Sequence, residues 1–290
     1  MNKKIQDLIM AYILKISSVI SIFVCSAILI FLLLNGLMLF RYVSPIDFVF
    51  GSVWNIDKGY YGILPMIVGT ILLTILTLIM SVPISLCCAI YLSELAPFKL
   101  KHILEIILET LTVIPPVIYG FVGSVLLVPI LRNDFNINPG YSLFAASVVL
   151  TIMILPTITL LSKDAFQSVP VELKESSLSL GSTKWQMIKG IVIPYSINGI
   201  LSSILLGLSR AVGETMAVVM VSGNWAIIPK SIFDPIRTLP SHIILNIKEC
   251  TYNSIVYYAM FATSLFIVLF IVVLIIIVEH LKNKGIKYNK

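Results

Sequence analysis

The chain has 290 residues, of which 58% are hydrophobic and only 12% charged, with a mean hydropathy of +1.03. A soluble globular domain carries about twice that share of charge, so this composition excludes one and describes a membrane protein. The formal net charge of +6 is too scattered along the chain to suggest nucleic acid as a partner.

The amino-terminal segment, with Lys3, Lys4 and Lys15, leads into an apolar run of about 25 residues, too long for a secretion-signal core and without a convincing cleavage site. It is expected to stay as a membrane anchor. Uncharged residues 16–40 form the first predicted span, followed by a loop over 41–61. The second span runs over about 62–92 and contains Pro65 and Pro83, which neighbouring helices must accommodate. A polar link over 93–102 leads to the third, about 103–131, interrupted by Pro115 and Pro116. The fourth covers about 141–161, the fifth about 191–221 and the sixth about 255–278. The predicted fold is therefore all-α, a single polytopic domain over 1–290 with about six transmembrane helices.

Lys and Arg in the connecting loops orient such a chain. With six spans, one side receives Lys3, Lys4, Lys15, Lys99, Lys101, Lys163, Lys174, Lys184, Lys189, Lys282, Lys284, Lys287 and Lys290, and the other Arg41, Lys58, Arg132, Lys230, Arg237 and Lys248. The bias predicts that both termini and the loop over 163–189 are cytoplasmic. Cys25, Cys87 and Cys88 lie in apolar runs and Cys250 lies alone in a polar loop, so they read as small packing residues. No G-x-x-x-x-G-K-[ST] loop occurs, and ATP must be bound by another polypeptide if it is used at all.

Between the fourth and fifth runs lies a Ser- and Lys-rich island, 169–194. Pro170 suits the first turn of a helix and Gly181 the position just past its end. Thr183 and Gln186 have the spacing of a capping box, which restarts a helix after the turn. Glu175-Ser176-Ser177, then Gly181 after three residues and Ile191-Val192-Ile193-Pro194 after nine more, resembles the EAA-x3-G-x9-I-x-L-P signature of ABC importer permeases. Ser176 and Ser177 stand for the paired Ala, and Ile193 for Leu. The resemblance implies a type I importer (MetI-like) permease fold with its core over about 62–280. It also implies that Glu175, Ser176, Ser177 and Gly181 belong to a coupling helix docked on a separate ATPase. A solvated loop between two spans is the alternative.

Arg210 and Glu214 place two ionisable groups within the fifth apolar run, where a charge in hydrocarbon costs on the order of 3 kcal/mol. Four residues apart on a helix, they either neutralise one another as a structural bridge, or Arg210 offers its planar fork to an anion while Glu214 holds it in place. The segment Arg210-Ala-Val-Gly-Glu214-Thr215-Met216-Ala-Val218 resembles the R-A-x-G-E-T-M-A-V stretch of PstC-type permeases of bacterial phosphate importers. Supporting stretches are Tyr61–Pro65, Leu92–Pro97, Ile114–Gly120 and Phe233–Leu239. This resemblance implies a phosphate pathway at Arg210, Glu214 and Thr215. It implies as partners a second, PstA-type permease, two PstB-type ATPases carrying ATP and Mg, and an external PstS-type phosphate-binding protein, all in the bacterial cytoplasmic membrane system.

The loop over 224–253 is long for a connection; it either receives the loaded binding protein, with Asp234 and Arg237 as contacts, or plugs the outer mouth. Trp54, Trp185 and Trp225 read as interfacial anchors. His102, His242 and His280 are far apart, so no metal site is expected, and nothing suggests a catalytic residue or a cofactor bound by this chain. Two rivals stand beside phosphate import: import of molybdate, sulfate or phosphonate by the same machinery, and an ion-gradient transporter or channel that needs no ATPase.

Overall fold

Backbone amides and carbonyls in a bilayer must be satisfied within the chain, and this chain does so almost wholly with helices. The computed structural model describes residues 3–287, so Lys290, one of the expected inner charges, lies outside it. The elements are α1 (Lys3–Met38), α2 (Pro45–Phe50), the paired strands β1 (Trp54–Asn55) and β2 (Tyr60–Tyr61), and α3 (Leu64–Ile90). Next come α4 (Phe98–Val113), α5 (Pro116–Val122), α6 (Val128–Asn133), α7 (Leu143–Gln167), α8 (Val171–Ser179) and α9 (Lys184–Met187). The chain ends with α10 (Ile193–Gly213), α11 (Met216–Val221), α12 (Leu239–Asn246) and α13 (Ile255–Lys287).

Among the described residues six stretches are long and apolar enough to cross a membrane, beginning in α1, α3, α5, α7, α9 and α13. Helix α7 is the axis of the bundle: 67% of its apolar window is buried, against none of the window in α1. It packs on α3, α10 and α4, while α1 lies at the periphery against α13. Lipid provides no hydrophobic drive between helices, so close approach depends on small and hydroxylated residues. A Cβ placed on Gly199 would lie 2.4 Å from Ala165 Cβ, and one on Gly207 2.6 Å from Ile158 Cδ1, so α10 reaches α7 through two glycines. Helix α3 buries Thr70, Thr74, Thr77, Ser81 and Ser85, and it is bonded to α7 where the Thr151 hydroxyl donates to the Thr77 carbonyl at 3.4 Å and Ser85 Oγ to the Leu155 carbonyl at 3.2 Å.

Two spans differ from the sequence expectation. The third starts at Pro116, not near 103, because Ile114 and Pro115 each precede a proline and are held extended (ψ 126° and 137°). Residues 98–113 form the separate helix α4. The fifth ends at Gly213 instead of continuing to 221, since Glu214 leaves the helix with φ −70° and ψ 127°. Three π turns interrupt the apolar helices, at Tyr91–Leu95, Gly123–Leu127 and Ile188–Val192. Pro97, Pro129 and Pro194 each follow two residues behind such a turn, and the missing proline N–H leaves a carbonyl of the preceding turn without its usual donor.

The cysteines are free, as expected, but Cys25 and Cys87 are exposed on the bundle surface rather than packed within it. Of the three tryptophans, Trp54 is half-buried, edge-on to His242 at 4.2 Å between ring centroids, whereas Trp185 and Trp225 are exposed.

Candidate functional site

The island folds as its punctuation dictates. Pro170 is the N-cap of α8 rather than its first residue, and Gly181 turns the chain with φ +84°, a conformation that side chains with a Cβ adopt only at a cost. The capping box then starts α9: the Thr183 amide donates to Gln186 Oε1 at 2.8 Å and the Gln186 amide to Thr183 Oγ1 at 3.3 Å. Ser177 and Ser182 close the turn from inside, their hydroxyls 2.7 Å apart, with Ser182 also donating to the Ser177 carbonyl at 2.8 Å. Glu175 and Ser176 face outward, and the Ser176 hydroxyl donates to the Glu172 carbonyl.

Helix α8 buries none of its residues. Val171, Leu173, Leu178 and Trp185 are exposed, and Leu180 is 89% exposed. Val171, Leu173 and Leu178 stand on the short polar helix α8, Leu180 follows its end and Trp185 lies on α9, so exposed apolar side chains flank the Gly181 turn. A residue that sequence reasoning passed over ties the helix down: Lys174 Nζ lies 2.6 Å from Glu94 Oε1, in the π turn that ends α3. Opposite charges 80 positions apart carry no sequence signal of that pairing.

About 25 Å further along α10, at its 1.5 Å rise per residue, stands Arg210. Its Nη1 donates to Thr157 Oγ1 of α7 at 2.9 Å. One of five guanidinium donors is so used, and no other hydrogen bond or ion pair holds it among the described residues. Tyr119 of α5 lies within electrostatic reach of Arg210 and directs its hydroxyl to the Leu111 carbonyl at 2.8 Å. Glu214 is not paired with Arg210. Having left the helix, it accepts the Ala217 amide at 3.1 Å and caps the start of α11, where a carboxylate is favoured by the unpaired amides and the helix dipole. Thr215 sits half-buried in the same break, its hydroxyl donating to the Gly213 carbonyl at 3.2 Å. The structure thus brings Arg210, Glu214 and Thr215 to one helix break, separates the two charges, and adds Thr157.

The loop over 224–253, expected on the outer side, is tied down both within itself and to α3. Asp234 accepts the amides of Lys230 and Ser231 at 2.7 and 2.9 Å, and Arg237 Nε donates to the Asn224 carbonyl at 2.8 Å. Thr70 Oγ1 of α3 accepts the Leu239 amide at 2.9 Å, while Pro235, Ile236, Thr238, Pro240 and Ser241 are buried. Burial lowers the Arg237 guanidinium from its ordinary value, and burial with the nearby Arg237 charge pushes His242 down to about 3. No cluster of three or more potential metal ligands occurs among the described residues.

Six membrane-length stretches among the described residues, with a charged helix break at the end of the fifth, describe a polytopic membrane protein. Residues 81–285 match the family described as the binding-protein-dependent transport system inner membrane component, and the chain belongs to it: it is an ABC transporter permease subunit. It is 36% identical over 287 residues to the probable ABC transporter permease protein YqgH of Bacillus subtilis, covering 98% of this chain and 93% of that one. It is 37% identical over 252 residues to the phosphate transport system permease protein PstC of Pasteurella multocida, covering 78% and 79%. Similar folds occur in a bacterial alginate ABC transporter (TM-score 0.64, 16% identity, 87% of each chain) and in the MetNI methionine ABC transporter (TM-score 0.57, 18% identity, 77% of this chain and 94% of that one). The fold is the MetI-like permease fold, and the ion-gradient alternative is set aside.

Proposed function

We propose that this chain is the PstC-type half of a phosphate importer. Arg210 would stand on the anion's route, with a second, PstA-type permease completing the passage. The observation that carries the reading is the state of Arg210: a half-buried guanidinium steadied by one neutral hydroxyl, with its other donors uncommitted, in a chain similar to PstC. A guanidinium fork matches the geometry of phosphate oxygens. Because Glu214 is engaged at α11, the positive charge is left unneutralised for an anion. Thr215 lies beside it in the break, and Thr157 aims the group.

The face of α8 with Glu175, Ser176, Ser177 and Gly181 would dock on one of two PstB-type ATPases, which bind ATP and Mg; this chain binds no cofactor. The positive bias of the loops supports placing both termini and α8 in the cytoplasm. A PstS-type binding protein would deliver phosphate to the opposite face, meeting the surface around Asp234 and Arg237. ATP-driven closure of the ATPases would then rock the two permeases from inward-open to outward-open.

The test is Arg210→Gln, assayed in proteoliposomes with the full set of partners and labelled inorganic phosphate. Uptake should be abolished in complexes that assemble in normal amount. Unchanged uptake in assembled complexes would reduce Arg210 to a packing residue, and uptake of molybdate or sulfate in preference to phosphate would reassign the substrate.

A further inference from the structure

Helix α8 buries no side chain, and its packing is confined largely to α9 and the π turn Ile188–Val192. One contact is of another kind. Lys174, whose side chain is 16% exposed, meets Glu94, 8% exposed, at 2.6 Å, and its ammonium also reaches the Phe166 carbonyl in the last turn of α7 at 3.5 Å. It is the only ion pair of α8 among the described residues. A single ammonium therefore holds α8 to the ends of α3 and α7, the two helices that pack most extensively on each other. Below it Ala89, Phe166, Val169, Met187 and Ile188 form a buried apolar floor.

We propose that Lys174 and Glu94 are the joint through which displacement of α8 is delivered to α3. This rests on the reading of α8 as the ATPase-docking element. A charge-assisted hydrogen bond is short and directional, so it resists both sliding and separation, whereas apolar contacts reseat at low cost. Net stability does not require the charges, because a buried ion pair replaced by apolar groups of similar volume is often neutral or stabilising. Directional connection is what the apolar replacement would lose. Glu94 is suited to receive the load: it lies in the π turn at the end of α3, two residues beyond which Pro97 ends the run. On the same side, Lys163 of α7 pairs with Glu105 of α4 at 2.9 Å, so two ion pairs link four elements there.

The experiment compares uptake of inorganic phosphate per ATP hydrolysed in the reconstituted complex. The double variant Lys174→Met with Glu94→Met should assemble and melt like the wild type while that ratio falls about tenfold, within the usual range of coupling between sites. Exchanging the charges, Lys174→Glu with Glu94→Lys, should restore most of it. A Met/Met complex with the wild-type ratio overturns the proposal, as does an exchanged pair that assembles and stays uncoupled. Failure of every variant to assemble would assign the pair to folding and also overturn it. A photo-crosslinking residue at position 180, Leu180→p-benzoylphenylalanine, separates the two readings. No crosslink to the ATPase defeats the docking role of α8, whereas a crosslink together with a normal ratio in Met/Met defeats only the joint.

Discussion

Two polar interruptions of the apolar chain behave in opposite ways. The one expected on the inner side, 169–189, leaves α8 with no buried residue and Leu180 almost bare, while the one expected on the outer side, 222–254, folds Pro235, Ile236, Thr238 and His242 into the protein. Both are rich in turn formers and polar groups. The difference is where their backbone hydrogen bonds go: those of residues 170–187 close over a few residues, with the Lys174 side chain alone reaching the end of α3, whereas the loop over 224–253 brings its Leu239 amide to Thr70 on α3 and binds Asn224 to Arg237. A segment whose backbone bonds close locally leaves its apolar side chains exposed, whereas a segment whose backbone is committed to the bundle presents a fixed surface at that end of it.

The sharpest way to break this comparison is Gly181→Val. Its φ of +84° costs a β-branched residue about 1–2 kcal/mol, yet nothing within 4 Å would obstruct the side chain. The turn should reorient and uptake should be lost while ATP hydrolysis is retained and the melting temperature falls by no more than about 2–8 °C; normal uptake would discredit the coupling role of the Gly181 turn.

Acidification probes the outer region with the next largest effect. His242 sits at about 3 in the folded protein against 6.5 ordinarily, so the folded ring stays neutral while the unfolded one takes up a proton below about pH 6.5. Stability is fully present above pH 6.5 and lost as pH falls toward 3, by about 1.4 kcal/mol per unit once well below the upper value. The melting temperature should drop across that window, and His242→Leu should flatten the slope; an identical slope in the variant would place the acid sensitivity elsewhere.

The smallest effect is expected of Asp234→Ala, which frees the amides of Lys230 and Ser231. A loss of about 1 kcal/mol should lower the melting temperature by about 2–4 °C. Uptake driven by saturating binding protein should hardly change. A large transport defect without loss of stability would show that Asp234 acts in delivery rather than in holding the loop.

Features set by near neighbours were legible in the amino-acid order. The six apolar runs follow from what a bilayer requires of about 20 residues, and the Gly181 turn and the Thr183–Gln186 capping box depend on residues no more than three apart. The signature around Glu175 and Gly181 and the segment from Arg210 to Val218 gave the family in the same way. The fifth run shows where this stops. Its apolar character continues through 221, so hydropathy carries the helix past Glu214, but the carboxylate finds the Ala217 amide and the helix ends at Gly213. The four-residue spacing that suggested an Arg210–Glu214 bridge assumed a helix that is not there.

Tertiary structure alone decided the partners of the buried charges. Thr157 lies 53 positions from Arg210 and Glu94 lies 80 from Lys174, and each pair meets only because α7 packs between α3 and α10. Local order fixes helices and turns because their hydrogen bonds close over a few residues. Which cation is steadied by a hydroxyl and which is locked to a carboxylate depends on helix packing, and that is settled by contacts between distant parts of the chain.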